Sequence, residues 1–309
     1  MVHPVFIGCD VSKAHLDCFD SETNHHIRID NSGVAIDAWL RTLEGREITV
    51  VLEATGRYDR LLCTALEQRR CSYCRVNPAR ARDFARAVGL LAKTDAIDAR
   101  LLARMGQTLS PAVTTPPDPA RRALAGLHTR RDQLVAMRQQ ERARLHGADR
   151  TERDSLDRHI AWLDEEIGKV EKACRDHVRA NTALSKQHDR LRSIPGVGLV
   201  TAVTLMARMP ELGGGSSKAM AALAGLAPFN ADSGVLRGQR HIRGGRKRVR
   251  DALYMAALVA YRLKAPLART AQTLKDKGKP FKVMIIAIAR KILVTANAIL
   301  RDNTFFQPA

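Results

Sequence analysis

With 309 residues, 45% of them hydrophobic, the chain is long enough for two domains and a connector, which excludes a coreless polyelectrolyte. Its 51 Lys and Arg against 32 Asp and Glu give a formal charge of +19 and a pI near 10.3, which points to a polyanionic partner. The start lacks a cationic stretch ahead of an apolar core, and the apolar run at 283–300 is broken by Arg290, Lys291 and Asn297. A secretory leader and a membrane span are therefore not expected, and a cytoplasmic protein is.

Residues 5–11 form a short apolar run that predicts a buried strand, and 15–20 and 25–30 predict two more across a turn-prone Ser21-Glu22-Thr23-Asn24. Helical spacing follows over 34–43, then a strand at 47–53, a helix from Tyr58 to Arg69 and a strand at 72–76. Asn77-Pro78 starts the next helix, with Asn as cap and Pro at the first helical position. Three sequential strands suit an antiparallel meander, and the helical crossovers suit parallel additions. Cys71 and Cys74 form a lone C-x-x-C inside a strand, so incidental thiols are expected rather than a metal site.

Four prolines between 110 and 119 mark a linker. From Arg121 to His188 the chain is charged and helical. An apolar seam through Leu124, Leu127, Leu134, Met137 and Leu145, then Leu156, Ile160, Leu163, Ile167 and Val170, predicts two long antiparallel helices turning near Gly147. The seam suits plain helix packing and a dimerising coiled coil equally. The remainder reads as mostly helical. Domains are expected at 1–110, 111–190 and 191–309, with net charges of +1, +3 and +15, so the electrostatic grip lies in the last.

Three constellations carry chemistry. Asp10 and Glu53 each end a run expected to be buried, where a carboxylate needs a partner. Asp95 and Asp98, at i and i+3 in a later helix, share a face. Carboxylates on a first strand, a central strand and a later helix give an RNase H-like arrangement. Four converging acids repel each other unless Mg²⁺ or Mn²⁺ sits between them, the usual equipment of phosphodiester chemistry. Asp17, Asp20 and Asp30 read as solvated bystanders. The second constellation is Ile194-Pro195-Gly196-Val197-Gly198 before a helical pattern, a helix-hairpin-helix signature in which Gly196 and Gly198 expose backbone N–H groups to phosphate; an ordinary helix–helix turn reads equally well. The third runs from Asp232 to Arg250, where Arg237, Arg240, Arg243, Arg246, Lys247, Arg248 and Arg250 stand without an acid among them. They suit phosphate neutralisation with strongly salt-dependent binding. Ser233, beside Gly234 at the edge of this cluster, is placed as a nucleophile would need to be, although spacing alone favours a turn serine.

These residues resemble the insertion-sequence 110 family of transposases, RuvC-like DEDD recombinases guided by a bridge RNA that also include a DNA invertase. The resemblance rests on Gly8-Cys9-Asp10-Val11-Ser12-Lys13, Leu52-Glu53-Ala54-Thr55-Gly56 and Lys93-Thr94-Asp95-Ala96-Ile97-Asp98-Ala99. It continues through Ile194–Gly198, Gly225-Leu226-Ala227-Pro228, Ser233-Gly234 and Ile242-Arg243-Gly244-Gly245. It implies that Asp10, Glu53, Asp95 and Asp98 bind Mg²⁺ in a RuvC-like domain, and that Ser233 attacks DNA to form a phosphoserine linkage. It further implies a composite active site within a homodimer or tetramer, and an RNA that pairs with donor and target double-stranded DNA. The expected protein is a transposase or site-specific recombinase. Its rivals are a hydrolytic junction nuclease that uses the carboxylates alone and a non-catalytic nucleic-acid-binding protein.

Overall fold

The computed structural model describes residues 5–308 except 55, 57, 91–94, 117, 230–231, 234–235 and 238–240; for 95–97, 229, 232–233 and 236–237 it describes the backbone but not the side chains. The chain divides into two compact units, Met1–Pro116 and Pro117–Ala309.

The first unit is a five-stranded sheet in the order β3-β2-β1-β4-β5, from β1 (Val5–Val11), β2 (His15–Asp20), β3 (His25–Asp30), β4 (Ile48–Glu53) and β5 (Ser72–Val76). β1, β2 and β3 form an antiparallel meander, and β4 and β5 run parallel to β1. The crossovers are α1 (Gly33–Arg41) and α2 (Arg60–Gln68), each slightly shorter than its periodicity predicts. Strand alternation divides the sheet into two apolar faces. Ile7, Cys9, Val50, Leu52 and Tyr73 pack with Ile36, Leu40, Leu62 and Leu66 of α1 and α2. Phe6, Val51, Cys74 and Val76 pack with Ala81 and Phe84 of α3 (Pro78–Ala87) and with Leu101, Leu102 and Met105 of α4 (Asp95–Leu109). Asn77 caps α3 by accepting from the Ala79 N–H, with Pro78 at the first helical position as the sequence predicts.

The second unit is mostly helical. α5 (Pro119–Arg144) and α6 (Arg150–Ala180) are the expected antiparallel pair, reversed by a short 3-10 turn at Leu145–Gly147. The predicted helix toward His188 is interrupted at Asn181, which ends α6 and caps α7 (Thr182–Arg192) by accepting from the Leu184 N–H. Leu134, Leu163 and Ile167 form the seam away from the core, whereas Met137 is exposed and lies outside it. At the other end of the hairpin Leu124, Cys174 and Val178 enter a core shared with α8 (Leu199–Arg208), α9 (Ser217–Leu223), α10 (Lys247–Arg262), α11 (Arg269–Asp276) and α12 (Phe281–Asp302). α12 is long and apolar enough to cross a membrane, yet half of its most apolar stretch is buried inside this unit. Asn297 on that buried side accepts from the Gly213 N–H at 2.8 Å and donates to the Gly215 carbonyl at 2.9 Å. Two small ribbons complete the unit: β6 (Pro228–Phe229) with β9 (His241–Ile242), and β7 (Asp232–Ser233) with β8 (Leu236–Arg237).

Candidate active site and basic surface

Asp10 and Glu53 are brought together by strand register. β1 pairs with β4 in parallel as far as Cys9 with Leu52, so the next residues, Asp10 and Glu53, end neighbouring strands about 4.8 Å apart at the backbone. Both are half-buried and share the sheet face that carries Phe6, Gly8 and Val51, the face covered by α4. The helix comes close there because Gly8 has no side chain: a methyl at Gly8 would overlap the Ala99 carbonyl and the Ala103 amide nitrogen. A methyl on Gly106 of α4 would in turn strike the Phe6 ring and Val51. α4 therefore runs opposite to β1, with residue 106 over Phe6 and residue 99 over Gly8, and its first turn lies toward Asp10. Asp98, adjacent to Ala99, is half-buried at that end.

Two carboxylates about 5 Å apart would repel each other by about 3 kcal/mol at an effective dielectric of about 20. Hard oxygen donors on two strand ends and a helix suit a hard divalent cation. Asp95 occupies the first residue of α4, but its side chain is outside the described residues. Among the described side chains no group of three or more His, Cys, Asp or Glu is gathered closely enough to hold a metal ion.

Asp17 corrects an expectation. It is not a solvated bystander: it is 3% exposed and sits opposite Asp10 in the β1–β2 register. Arg28, its register partner on β3, donates to it through Nε and Nη2 at 3.1 and 2.9 Å, and His26 lies 3.1 Å away. Arg28, Asp17, Asp10 and Glu53 thus form one row across the sheet. Asp20 is also engaged, by Arg46 at 2.7 Å, whereas Asp30 is three-quarters exposed beside His15. On the opposite face Cys9 and Cys18 are fully buried partners, and burial, then Cys18, raises the Cys9 pKa well above its usual value. In the C-x-x-C, Cys71 packs toward α1 and α2, while Cys74 donates to the Pro111 carbonyl on the other face.

In the second unit Ser233 lies at the turn side of a tight ribbon, where it pairs with Leu236. Its side chain, that of Arg237, and all of Arg240 are outside the described residues. The remaining cations divide by role. Arg246 makes a bidentate pair with Glu211 at 2.6 Å and donates to the Arg208 carbonyl at 2.8 Å. Burial raises the Glu211 pKa, but the hydrogen bonds from Arg246, a backbone hydrogen bond and the charges of Arg246 and Arg121 together outweigh it and leave the pKa lowered. Arg250 donates to the Gly244 carbonyl at 2.6 Å, in the turn beside Gly225. Lys247 pairs with Asp251 on the surface, and Arg248, also exposed, lies 3.7 Å from Asp132. Arg243 is exposed.

The two glycines of the 194–198 turn also differ. Gly196 has φ +91°, and a methyl there would come within 2.5 Å of the Ala256 carbonyl on α10, so it serves helix packing. Gly198, the N-cap of α8, faces open space.

Sequence patterning missed a buried polar cluster where α5 meets α8. Thr204 Oγ1 donates to the Val200 carbonyl at 2.6 Å, so it accepts from His128 Nε2 at 2.8 Å, while Asp132 and Arg208 flank the other ring nitrogen. Burial, opposed by Asp132, lowers the His128 pKa to about 4. The pairing spans 76 residues, and a lone histidine inside a charged helix gives no sign of it.

Comparison with known proteins covers most of the chain. A model described as "Transposase" for the DEDD domain of IS110 elements matches residues 7–148, and one for the "Transposase IS116/IS110/IS902 family" matches residues 188–272. Over 315 aligned residues, 97% of each chain, the protein is 28% identical to the pilin gene-inverting proteins of Moraxella lacunata and Moraxella bovis. It is 30% identical over 161 residues to an uncharacterized 42 kDa protein of insertion element IS900 from Mycobacterium paratuberculosis, an alignment covering 50% of this chain and 38% of that protein.

Proposed function

The chain belongs to the IS110 family of transposases, and from that premise we propose that it cuts and rejoins DNA through a phosphoserine intermediate, with a non-coding bridge RNA choosing the sites. Membership itself carries the coarser statement, a DNA-recombining enzyme. In this reading residues 1–110 are a RuvC-like catalytic domain, 111–190 a helical connector and 191–309 the basic transposase domain. The sheet order β3-β2-β1-β4-β5, with antiparallel and then parallel additions, supports the RuvC-like assignment.

One observation carries the proposal: Asp10 and Glu53 end neighbouring parallel strands beneath the first turn of an oppositely running α4. Asp10, Glu53, Asp95 and Asp98 would hold Mg²⁺ or Mn²⁺, which would supply charge neutralisation at the scissile phosphate. The chain's residues do the rest. Ser233 Oγ bonds to phosphorus as the strand's P–O bond breaks, and the hydroxyl proton ends on the released oxygen. Reversal with a different strand end rejoins the DNA without ATP, because the phosphoserine conserves the bond energy. Gly198, Arg243, Lys247 and Arg248 contact backbone phosphates, which leaves base recognition to RNA pairing. The working form is a homodimer or tetramer in the cytoplasm.

The test uses full-length protein with its co-purified RNA, Mg²⁺ and nicked suicide duplexes carrying the sequences that flank its gene. A denaturation-stable protein–DNA adduct is expected, absent in Ser233→Ala and in Asp10→Asn. Normal cleavage by Ser233→Ala points instead to hydrolysis by the carboxylates alone.

A further inference from the structure

A carboxylate-lined edge repels the phosphate it must receive, so a cation held there has a use that sheet stability does not explain. β1 turns into β2 through Ser12-Lys13-Ala14, immediately after Asp10-Val11. This turn is held unusually firmly. The Ser12 N–H and hydroxyl both donate to the His15 carbonyl, at 2.9 and 2.8 Å, and the His15 N–H donates back to Ser12 Oγ at 2.9 Å.

Asn31, which follows β3 and precedes the Ser32 cap of α1, ties this turn to its surroundings. Its backbone N–H donates to the Ala14 carbonyl at 2.7 Å. Its side-chain Nδ2 donates to the Ser12 carbonyl at 2.8 Å and to the Tyr58 carbonyl at 3.0 Å. The amide orientation follows from chemistry, because a flipped amide would aim oxygen at two carbonyls. One residue therefore links the loop after Asp10 to the loop after Glu53. Such a link fixes the backbone of Lys13 relative to both acids.

Lys13 itself is exposed and forms no ion pair among the described residues. The arginines of the sheet strands are engaged otherwise: Arg28 by Asp17 and Arg75 by Asp59. A lysine is a compact charge with three donors and binds phosphate as a point charge.

We propose that Lys13 contacts a backbone phosphate of the DNA strand presented to the carboxylate edge, and that Asn31 is the positioning residue that keeps this contact in register with Asp10 and Glu53. The inference rests on the strand-cleaving reading above. The experiment uses full-length protein and a 30-base-pair duplex, with Ca²⁺ replacing Mg²⁺ so that the DNA stays intact. Lysine acetylation by an N-hydroxysuccinimide ester is mapped by mass spectrometry with and without the duplex. DNA is expected to protect Lys13 severalfold. Asn31→Ala should lose most of that protection while duplex affinity changes less than about twofold, one contact among many. Lys13→Gln, an exposed substitution that leaves the fold intact, should lower the slope of log affinity against log salt by about one, and Lys13→Arg should restore it. Equal acetylation of Lys13 with and without DNA, or an unchanged slope in Lys13→Gln, overturns the contact. Undiminished protection in Asn31→Ala overturns the positioning role. Asp10→Asn, assayed for cleavage in parallel, separates the failures: if it cuts normally the cleavage reading falls, and if it is inert while Lys13 is unprotected only this inference falls.

Discussion

Residues 1–110 carry a net charge of +1 and collect acids at one sheet edge, whereas residues 191–309 carry +15 along helices and short ribbons. In the first region Asp10, Glu53 and Asp98 stand on rigid elements whose register fixes their spacing. In the second, Arg246 and Arg250 hold the protein's own carboxylate and carbonyls, leaving Arg243, Lys247 and Arg248 on the outside. Net charge therefore overstates the cations on offer to DNA, and a near-neutral region can still set acids side by side on neighbouring strands. A site for chemistry is built from a few groups held in place, and a grip is built from many that need not be.

The sharpest way to break this division is Asp10→Asn or Glu53→Gln. Each should slow cleavage at least about a thousandfold, roughly 4 kcal/mol of barrier, while duplex affinity holds or rises because a negative charge is gone. A comparable loss of affinity would mean that the first region grips as well. Next in size is acid sensitivity of the second unit. With His128 lowered from 6.5 to about 4, the unfolded chain takes up the proton first as pH falls. The neutral form's contribution is therefore full above pH about 6.5 and disappears toward pH 4, roughly 3 kcal/mol in all. Chemical denaturation at pH 7 and pH 4.5 should show this slope in the native protein and a flatter one in His128→Gln.

Gly8→Ala should destabilise the first unit by roughly 1–3 kcal/mol, because α4 must move off β1, while Gly198→Ala should cost no more than about 1 kcal/mol. Thermal melts distinguish the two. The smallest effect sorts the cations themselves. Arg248→Gln should lower the salt slope of duplex binding by about one with little change in stability. Arg246→Gln should instead destabilise the fold by roughly 1–3 kcal/mol, because Glu211 and the Arg208 carbonyl lose their donor.

Much of this was legible before any coordinates. The runs ending in Asp10 and Glu53 read as strands because their apolar stretches are short and bounded by turn residues, and the Asn77-Pro78 start is local chemistry. The placement of Asp17 was not legible: in His15-Leu16-Asp17-Cys18 the alternation puts it on the face a hairpin exposes, and only α4 lying over β1 and β2 encloses it. Its partners Arg28 and His26 depend on strand register, and the Arg246–Glu211 pair joins residues 35 positions apart. Local patterns report which face a residue takes, but the element covering that face is a long-range matter. Asn181 was missed for the opposite reason, since one capping side chain interrupts a helix that composition alone would continue.

Titration with Mn²⁺, followed by the electron paramagnetic resonance signal of the free ion, tests most directly whether acids from β1, β4 and α4 act as one group. The account predicts saturable binding to the native protein, weakened at least about tenfold by each of Asp10→Asn, Glu53→Gln, Asp95→Asn and Asp98→Asn. Undiminished binding in Asp95→Asn and Asp98→Asn would contradict it.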